Sequence, residues 1–214
     1  MRPDDDEPRS GPWRAVPLEE LRAHLLAAAG PVTGRPVVLA VDGRSAGGKS
    51  TLARRLAQDR PGWCVVHTDD VAWWHSFFDW DDLLATGVLA PARRGEAVAY
   101  RPPAWDERGR EGAVRVPAGT RVLVVEGVGS SRRALAPLVD AAAWVSTPFE
   151  EVLRREAARA AAGRSTPRLQ RDWMAAELPF LAADRPWTRA AVLVDGTAGA
   201  AGDEVRVLTA PAPA

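Results

Sequence analysis

The chain is short of several things that would point elsewhere. It has one cysteine, Cys64, in 214 residues. That excludes an internal disulfide framework, and a small buried hydrophobe is the ordinary use of such a residue. No leader-like segment and no apolar run long enough to cross a bilayer is visible, which predicts a soluble, cytoplasmic protein. Net charge is absent too: lysine plus arginine and aspartate plus glutamate both number 28. No long-range field therefore recruits nucleic acid or an anionic membrane, and neither is expected as a partner. Lysine itself is almost missing. Lys49 is the only one, every other basic side chain apart from the histidines being arginine.

What is present explains where that lysine was kept. The stretch Val37 to Leu52, VVLAVDGRSAGGKSTL, contains Gly43, Gly48, Lys49 and Ser50 at the spacing G-x-x-x-x-G-K-[ST]. An apolar run, Val37 to Val41, leads in, and the helical-looking STLARRLAQ leads out. Glycines at 43, 47 and 48 free the backbone to curl around an anion. The amides from Ser45 and Ala46 through Thr51 can then point inward, with the positive end of the following helix behind them. A compact ammonium on Lys49 fits inside such a loop and reaches terminal phosphates, while the Ser50 hydroxyl is a magnesium ligand.

At this length one α/β domain over residues 1–214 is expected. Residues 1–15 read as a flexible tail, being acidic, proline-bearing and without periodicity. Leu18, Leu21, Leu25 and Leu26 share one face of a helix ending at Gly30-Pro31. Apolar runs at Val37 to Val41, Trp63 to Thr68, Val122 to Val125, Ala141 to Val145 and Ala191 to Val194 alternate with helical patterns. This predicts a three-layer sandwich around a five-stranded parallel sheet in the order 2-3-1-4-5. The C-terminal APAPA reads as frayed. Residues 71–120 exceed what a crossover needs and predict a substrate-binding insertion, its second half an extended hairpin punctuated by Pro102-Pro103. Residues 149–166 predict a lid.

Parallel sheets place their chemistry at the carboxyl ends of strands. Asp69 and Asp70 sit at one such end, where a carboxylate can take the proton of an attacking hydroxyl or merely cap a helix. Asp69 is favoured as the base and is a further candidate for the metal; Asp70 stays open. Glu126 closes the VLVV run where a Walker-B acid would hold magnesium, and a charge there is costly without a partner. Arg154, Arg155, Arg159 and Arg164 follow Pro148. Arg155 and Arg159 share a helix face and are candidates for nucleotide binding and for offsetting developing charge, the alternative being ordinary pairing with Glu150, Glu151 and Glu156. Trp73, Trp74, Phe77, Phe78 and Trp80 read either as core or as a stacking surface for a sugar or flat ring. His67 and His75 have no cluster around them that would suggest a metal site.

The order of these parts resembles the uridine kinase-like branch of the P-loop kinases, which includes nicotinamide riboside kinases. DGRSAGGKSTLA is similar to its phosphate loop and HTDD to its Q-D-[DS]-F-[YF] motif, whose first aspartate is the base; this implies Asp69. FFDW is similar to F-D-x-P, implying substrate contacts at Phe78 and Asp79. VVEG resembles the element whose glutamate serves magnesium, implying Glu126. RREAAR resembles the lid's R-R-x-x-R, and Trp105-Asp106 falls near a substrate-hairpin Tyr-Asp pair. The family's Phe-Tyr after the aspartates is replaced by Val71-Ala72-Trp73-Trp74, and its base-contacting histidine has no counterpart here. The resemblance implies an ATP- or GTP-dependent, magnesium-requiring kinase of a small-molecule alcohol. A nucleoside or ribosyl compound is the first expectation and a sugar or natural-product alcohol the second; self-association is left open. A nucleotide switch would need N-K-x-D, yet the one lysine is already used, and no L-S-G-G-Q of a transporter ATPase appears.

Overall fold

The computed structural model describes Glu7, residues 12–197 and residues 202–209. Its elements begin with β1 (Arg14–Pro17), α1 (Leu18–Ala29), β2 (Val37–Gly43), α2 (Lys49–Ala57), β3 (Trp63–His67) and α3 (Thr68–Val71). The insertion follows as α4 (Asp81–Leu84), a π-helical turn (Ala85–Leu89), α5 (Ala90–Arg93), β4 (Val98–Tyr100), α6 (Pro103–Glu107) and β5 (Val114–Val116). The chain continues through β6 (Val122–Glu126), β7 (Ala141–Ser146), α7 (Phe149–Ala161), α8 (Pro167–Asp184), β8 (Val192–Asp195) and β9 (Glu204–Thr209).

β2 is central because its Val/Leu/Ala run is buried on both faces, the position a continuous apolar strand demands. It pairs in parallel with β6 on one side and β7 on the other. β3 lies outside β6 and β8 outside β7, again in parallel. These five strands have the expected order. The sheet nevertheless has seven strands, not five, since β9 adds antiparallel to β8 and β1 antiparallel to β9. The expectation of a five-stranded, wholly parallel sheet is corrected accordingly. Both extra strands are short and alternating, and their pairing is decided by the free edge of β8 rather than by their own sequence.

The tail expectation is also corrected at its inner end, because Arg14 and Ala15 belong to β1. Glu7 is buried against Arg44. The rest of residues 1–11 and the APAPA segment lie outside the described residues.

One face of the sheet packs Leu39, Val41, Val124 and Ala143 against Leu21 and Leu25 of α1 and Leu52 and Leu56 of α2. Arg22 of α1 ties those two helices together, donating to the carbonyls of Leu56 at 3.0 Å and Arg55 at 2.7 Å. A cation is favourable there, at the carbonyl-rich end of α2. The other face carries the insertion, with Val38, Leu123 and Val125 under Leu84, Leu89 and Trp105. β4 and β5 pair as the expected hairpin, Val98 opposite Val116. A third cluster, built on Trp144, Trp187 and Leu181, seats α8. No described helix is long and apolar enough to cross a membrane.

Candidate active site

The phosphate loop is shaped by its backbone. Ala46 (φ 54°) and Gly48 (φ 104°) take left-handed conformations, turning successive amides toward one side. Thr147, at the end of β7, donates its hydroxyl to Gly47 O at 2.8 Å. Arg155 donates to Ala46 O at 3.1 Å and to Gly196 O at 2.8 Å. The buried Lys49 ammonium donates to Arg44 O at 2.8 Å, which holds it inside the loop.

Asp42, fully buried, anchors the loop to its neighbour. It accepts from the amides of Gly43 (2.7 Å), Gly129 (2.8 Å) and Ser131 (2.9 Å) and from the Ser131 hydroxyl (2.7 Å). Burial pushes its carboxyl up, and those four donors oppose the shift.

Lys49, Ser50, Asp69 and Glu126 line one cleft of about 740 Å³ at the carboxyl ends of β2, β3 and β6. Ser50 Oγ donates to Glu126 Oε1 at 3.1 Å, and His67 Nδ1 donates to Glu126 Oε2 at 2.6 Å. Burial alone would raise the Glu126 carboxyl, but the His67 hydrogen bond and the Lys49 charge outweigh it, so the group is lowered and ionised. The same contact raises His67. A hydroxyl and a carboxylate this close could supply two of the oxygen ligands a hard divalent cation takes, and phosphate oxygens would have to complete the set. Among the described residues no cluster of three or more acidic, histidine or cysteine side chains could hold a metal without them.

Asp69 is raised, first by burial and then by the nearby Glu126 charge, with Lys49 acting in the opposite sense. Its neighbour points elsewhere: Asp70 accepts from Arg110 at 2.5 Å. Neither aspartate is a helix cap, since His67 occupies the cap position of α3. From α7 and the turn that follows it, Arg159 and Arg164 line the cleft, and Arg159 donates to Glu156 at 3.1 Å. Arg154 pairs with Glu151 on the surface. A second cleft of about 240 Å³ lies beyond the loop, bounded by Gly48, Thr51, Arg155, Gly196 and Thr197.

The insertion residues divide. Trp74 lines the main cleft and is 65% exposed. Phe78 stacks on Phe180 at 4.4 Å, behind the cleft wall. Trp105 is buried, its indole donating to Asp70 O at 2.8 Å. Asp106 pairs with Arg101 on the surface, and Asp79 is exposed. None of Phe78, Asp79, Trp105 and Asp106 lines the cleft.

Sequence reasoning missed Asp42, although the argument used for Glu126, a charge ending a buried run, applies equally to it. It also missed Trp173 and Glu177 of α8, which reach the cleft from the far side; a lone carboxylate on a helix carries no signal of that kind.

No protein-family model and no curated protein matches the sequence. Solved structures do. A protein from Bacillus stearothermophilus described as a possible uridine kinase aligns with TM-score 0.52 and 20% identity, covering 81% of this chain and 98% of that one. One from Silicibacter sp. TM1040, provisionally named a fructose transport system kinase, aligns with TM-score 0.55 and 21% identity, covering 82% of this chain and 95% of that one. The chain thus shares the fold of these two proteins.

Proposed function

We propose that the protein transfers the terminal phosphoryl group of ATP or GTP to a hydroxyl of a small molecule. The reading rests on one observation: Lys49, Ser50, Asp69 and Glu126, far apart in sequence, line a single cleft beside the phosphate loop. Phosphoryl transfer asks little covalent chemistry of a protein and much positioning. In this reading the loop amides and Lys49 hold the phosphates, and the second cleft takes the base against Thr51 and Arg155. Ser50 and Glu126 would hold magnesium, which when bound would supply charge neutralisation at the phosphate oxygens. The acceptor oxygen bonds to the terminal phosphorus as the bridging P–O bond breaks, and Asp69 takes the hydroxyl proton. Arg159 and Arg164 sit where lid cations would offset the charge that spreads over the equatorial oxygens.

The acceptor is the finer question. The nucleoside expectation leaned on Phe78, Asp79 and Asp106, which lie outside the cleft. That favours the second reading, a non-nucleoside alcohol. Nucleotide consumption measured with and without a panel of alcohols, with products identified by mass spectrometry, tests the proposal: turnover should depend on the acceptor. Hydrolysis indifferent to every acceptor would instead describe a nucleotide switch or ATPase.

A further inference from the structure

Two carboxylates, Glu156 of α7 and Glu177 of α8, grip one residue of the phosphate loop. Glu177 Oε1 accepts from the Ser45 amide at 2.7 Å, and Glu156 Oε1 accepts from the Ser45 hydroxyl at 2.8 Å. Their electrostatic circumstances differ. Glu156 is paired with Arg159, whereas Glu177, 1% exposed, has no arginine, lysine or histidine within ion-pair distance among the described residues. Burial pushes its carboxyl up; the Ser45 amide, the more distant charges of Lys49 and Arg44 and the neighbouring Trp173 indole oppose this.

A buried carboxylate without a counter-ion is expensive, and the expense grows when a triphosphate occupies the neighbouring loop and engages Lys49. Something positive should therefore accompany the bound nucleotide. The wall around Glu177 indicates what. Trp173 lies one helical turn before it, with Phe77 edge-on to the indole at 5.2 Å and 68°, and Trp73 nearby in the lining. Aromatic faces beside a carboxylate suit an ammonium group.

The chain already uses this region so, since Arg108 lies 3.9 Å from the Trp74 ring and Arg110 5.1 Å from that of Trp73. The arginines and the lysine that line the cleft, Lys49, Arg159 and Arg164, belong to the phosphate loop and the lid. With Lys49, Arg159 and Arg164 engaged by the phosphates in the kinase reading, an anionic acceptor would face Asp69 and Glu177 without a cation of its own, and an uncharged one would leave Glu177 without a counter-ion.

We propose that the acceptor is a hydroxylated amine, an amino alcohol or amino sugar, whose ammonium lies against Glu177 and the Trp173–Phe77 wall while its hydroxyl faces Asp69. This rests on the kinase reading above. The transfer itself is unaltered: oxygen bonds to the terminal phosphorus, the bridging P–O bond breaks to release the nucleoside diphosphate, the hydroxyl proton passes to Asp69, and the ammonium is unchanged.

The test offers the full chain ATP, magnesium and three acceptor sets: amino alcohols and amino sugars, their uncharged hydroxyl counterparts together with nucleosides, and phosphorylated or carboxylated sugars. Products are read by mass spectrometry. Phosphorylated amines should form with kcat/KM at least thirtyfold above their uncharged counterparts. Glu177→Gln should narrow that ratio tenfold or more, chiefly through the KM for the amine, and Trp173→Leu should narrow it in the same direction. Products formed only from uncharged or anionic acceptors would overturn the inference and leave the kinase reading standing. So would an unchanged ratio in a Glu177→Gln protein that still binds nucleotide; should that variant not fold, the wild-type ratio and Trp173→Leu decide. Nucleotide binding with no product from any set would overturn both.

Discussion

The Ser50 hydroxyl donates to Glu126 Oε1 at 3.1 Å, so one hydrogen bond joins the first turn of α2 to the tip of β6. Both residues line the main cleft, and under the proposed function the pair would hold magnesium there. Glu126→Gln keeps the shape and removes the charge. Its expected outcome is a loss of transfer of about a hundredfold or more at low magnesium, partly recovered as magnesium is raised. A magnesium titration of kcat checks this; an unshifted curve would remove Glu126 from the metal.

Asp69 is raised above the ordinary aspartate range, first by burial. A base works only when unprotonated, so transfer should climb as pH rises through that raised value and level off above it. Asp69→Asn should cost about 10² to 10⁴ in kcat and abolish the acid limb while leaving nucleotide binding intact. Asp70→Asn should stay within a few fold, because Asp70 is engaged by Arg110 and does not line the cleft. pH–rate profiles of the three proteins decide between the two aspartates.

Gly127 follows Glu126 with φ 150°, and a Cβ placed on it would sit 1.7 Å from Thr68 Oγ1. Thr68 is itself buried at the start of α3, so the two cannot simply separate. Gly127→Ala should destabilise by about 2 kcal/mol or more through strain and overlap together. Urea unfolding midpoints measure it, and a midpoint equal to the wild type's would be inconsistent with this turn.

Asp140 joins three segments: it accepts from Arg35 (2.7 Å), Arg93 (2.9 Å) and the Val38 amide (2.8 Å). Burial alone would raise its carboxyl, but Arg35, the Val38 amide and Arg93 hold it at about 2. A group lowered on folding contributes stability that is complete above its unfolded value, roughly 4, and disappears as pH falls through the folded one. Asp140→Asn should therefore weaken the fold at neutral pH by an amount that shrinks steadily toward pH 2. Denaturant midpoints of both proteins across that range test the sign as well as the existence of the effect.

The phosphate-loop spacing and the five parallel strands were legible because each is written locally, as a glycine-lysine spacing or an apolar run. β1 and β9 were not. RAVP and EVRVLT are too short to declare themselves, and only the open edge of β8 gives them a partner. Glu177 was invisible for a different reason. It lies 132 positions from Ser45 in the chain, and folding alone brings it to the amide it accepts from. Phe78 and Trp105 show the converse: motif likeness assigned them to substrate, whereas packing gives Phe78 to the α8 cluster and Trp105 to the core beneath the hairpin.

The antiparallel margin of the sheet has a practical consequence for anyone trimming this protein. A chain cut after Asp195 would keep every residue of the catalytic proposal yet strip β8 of its outer neighbour, baring a ladder of amides and carbonyls along a strand that is buried throughout. Such a rim invites pairing with other molecules. A minimal version designed around the cleft alone should precipitate, and retaining residues 204–209 together with Arg14–Pro17 is the remedy.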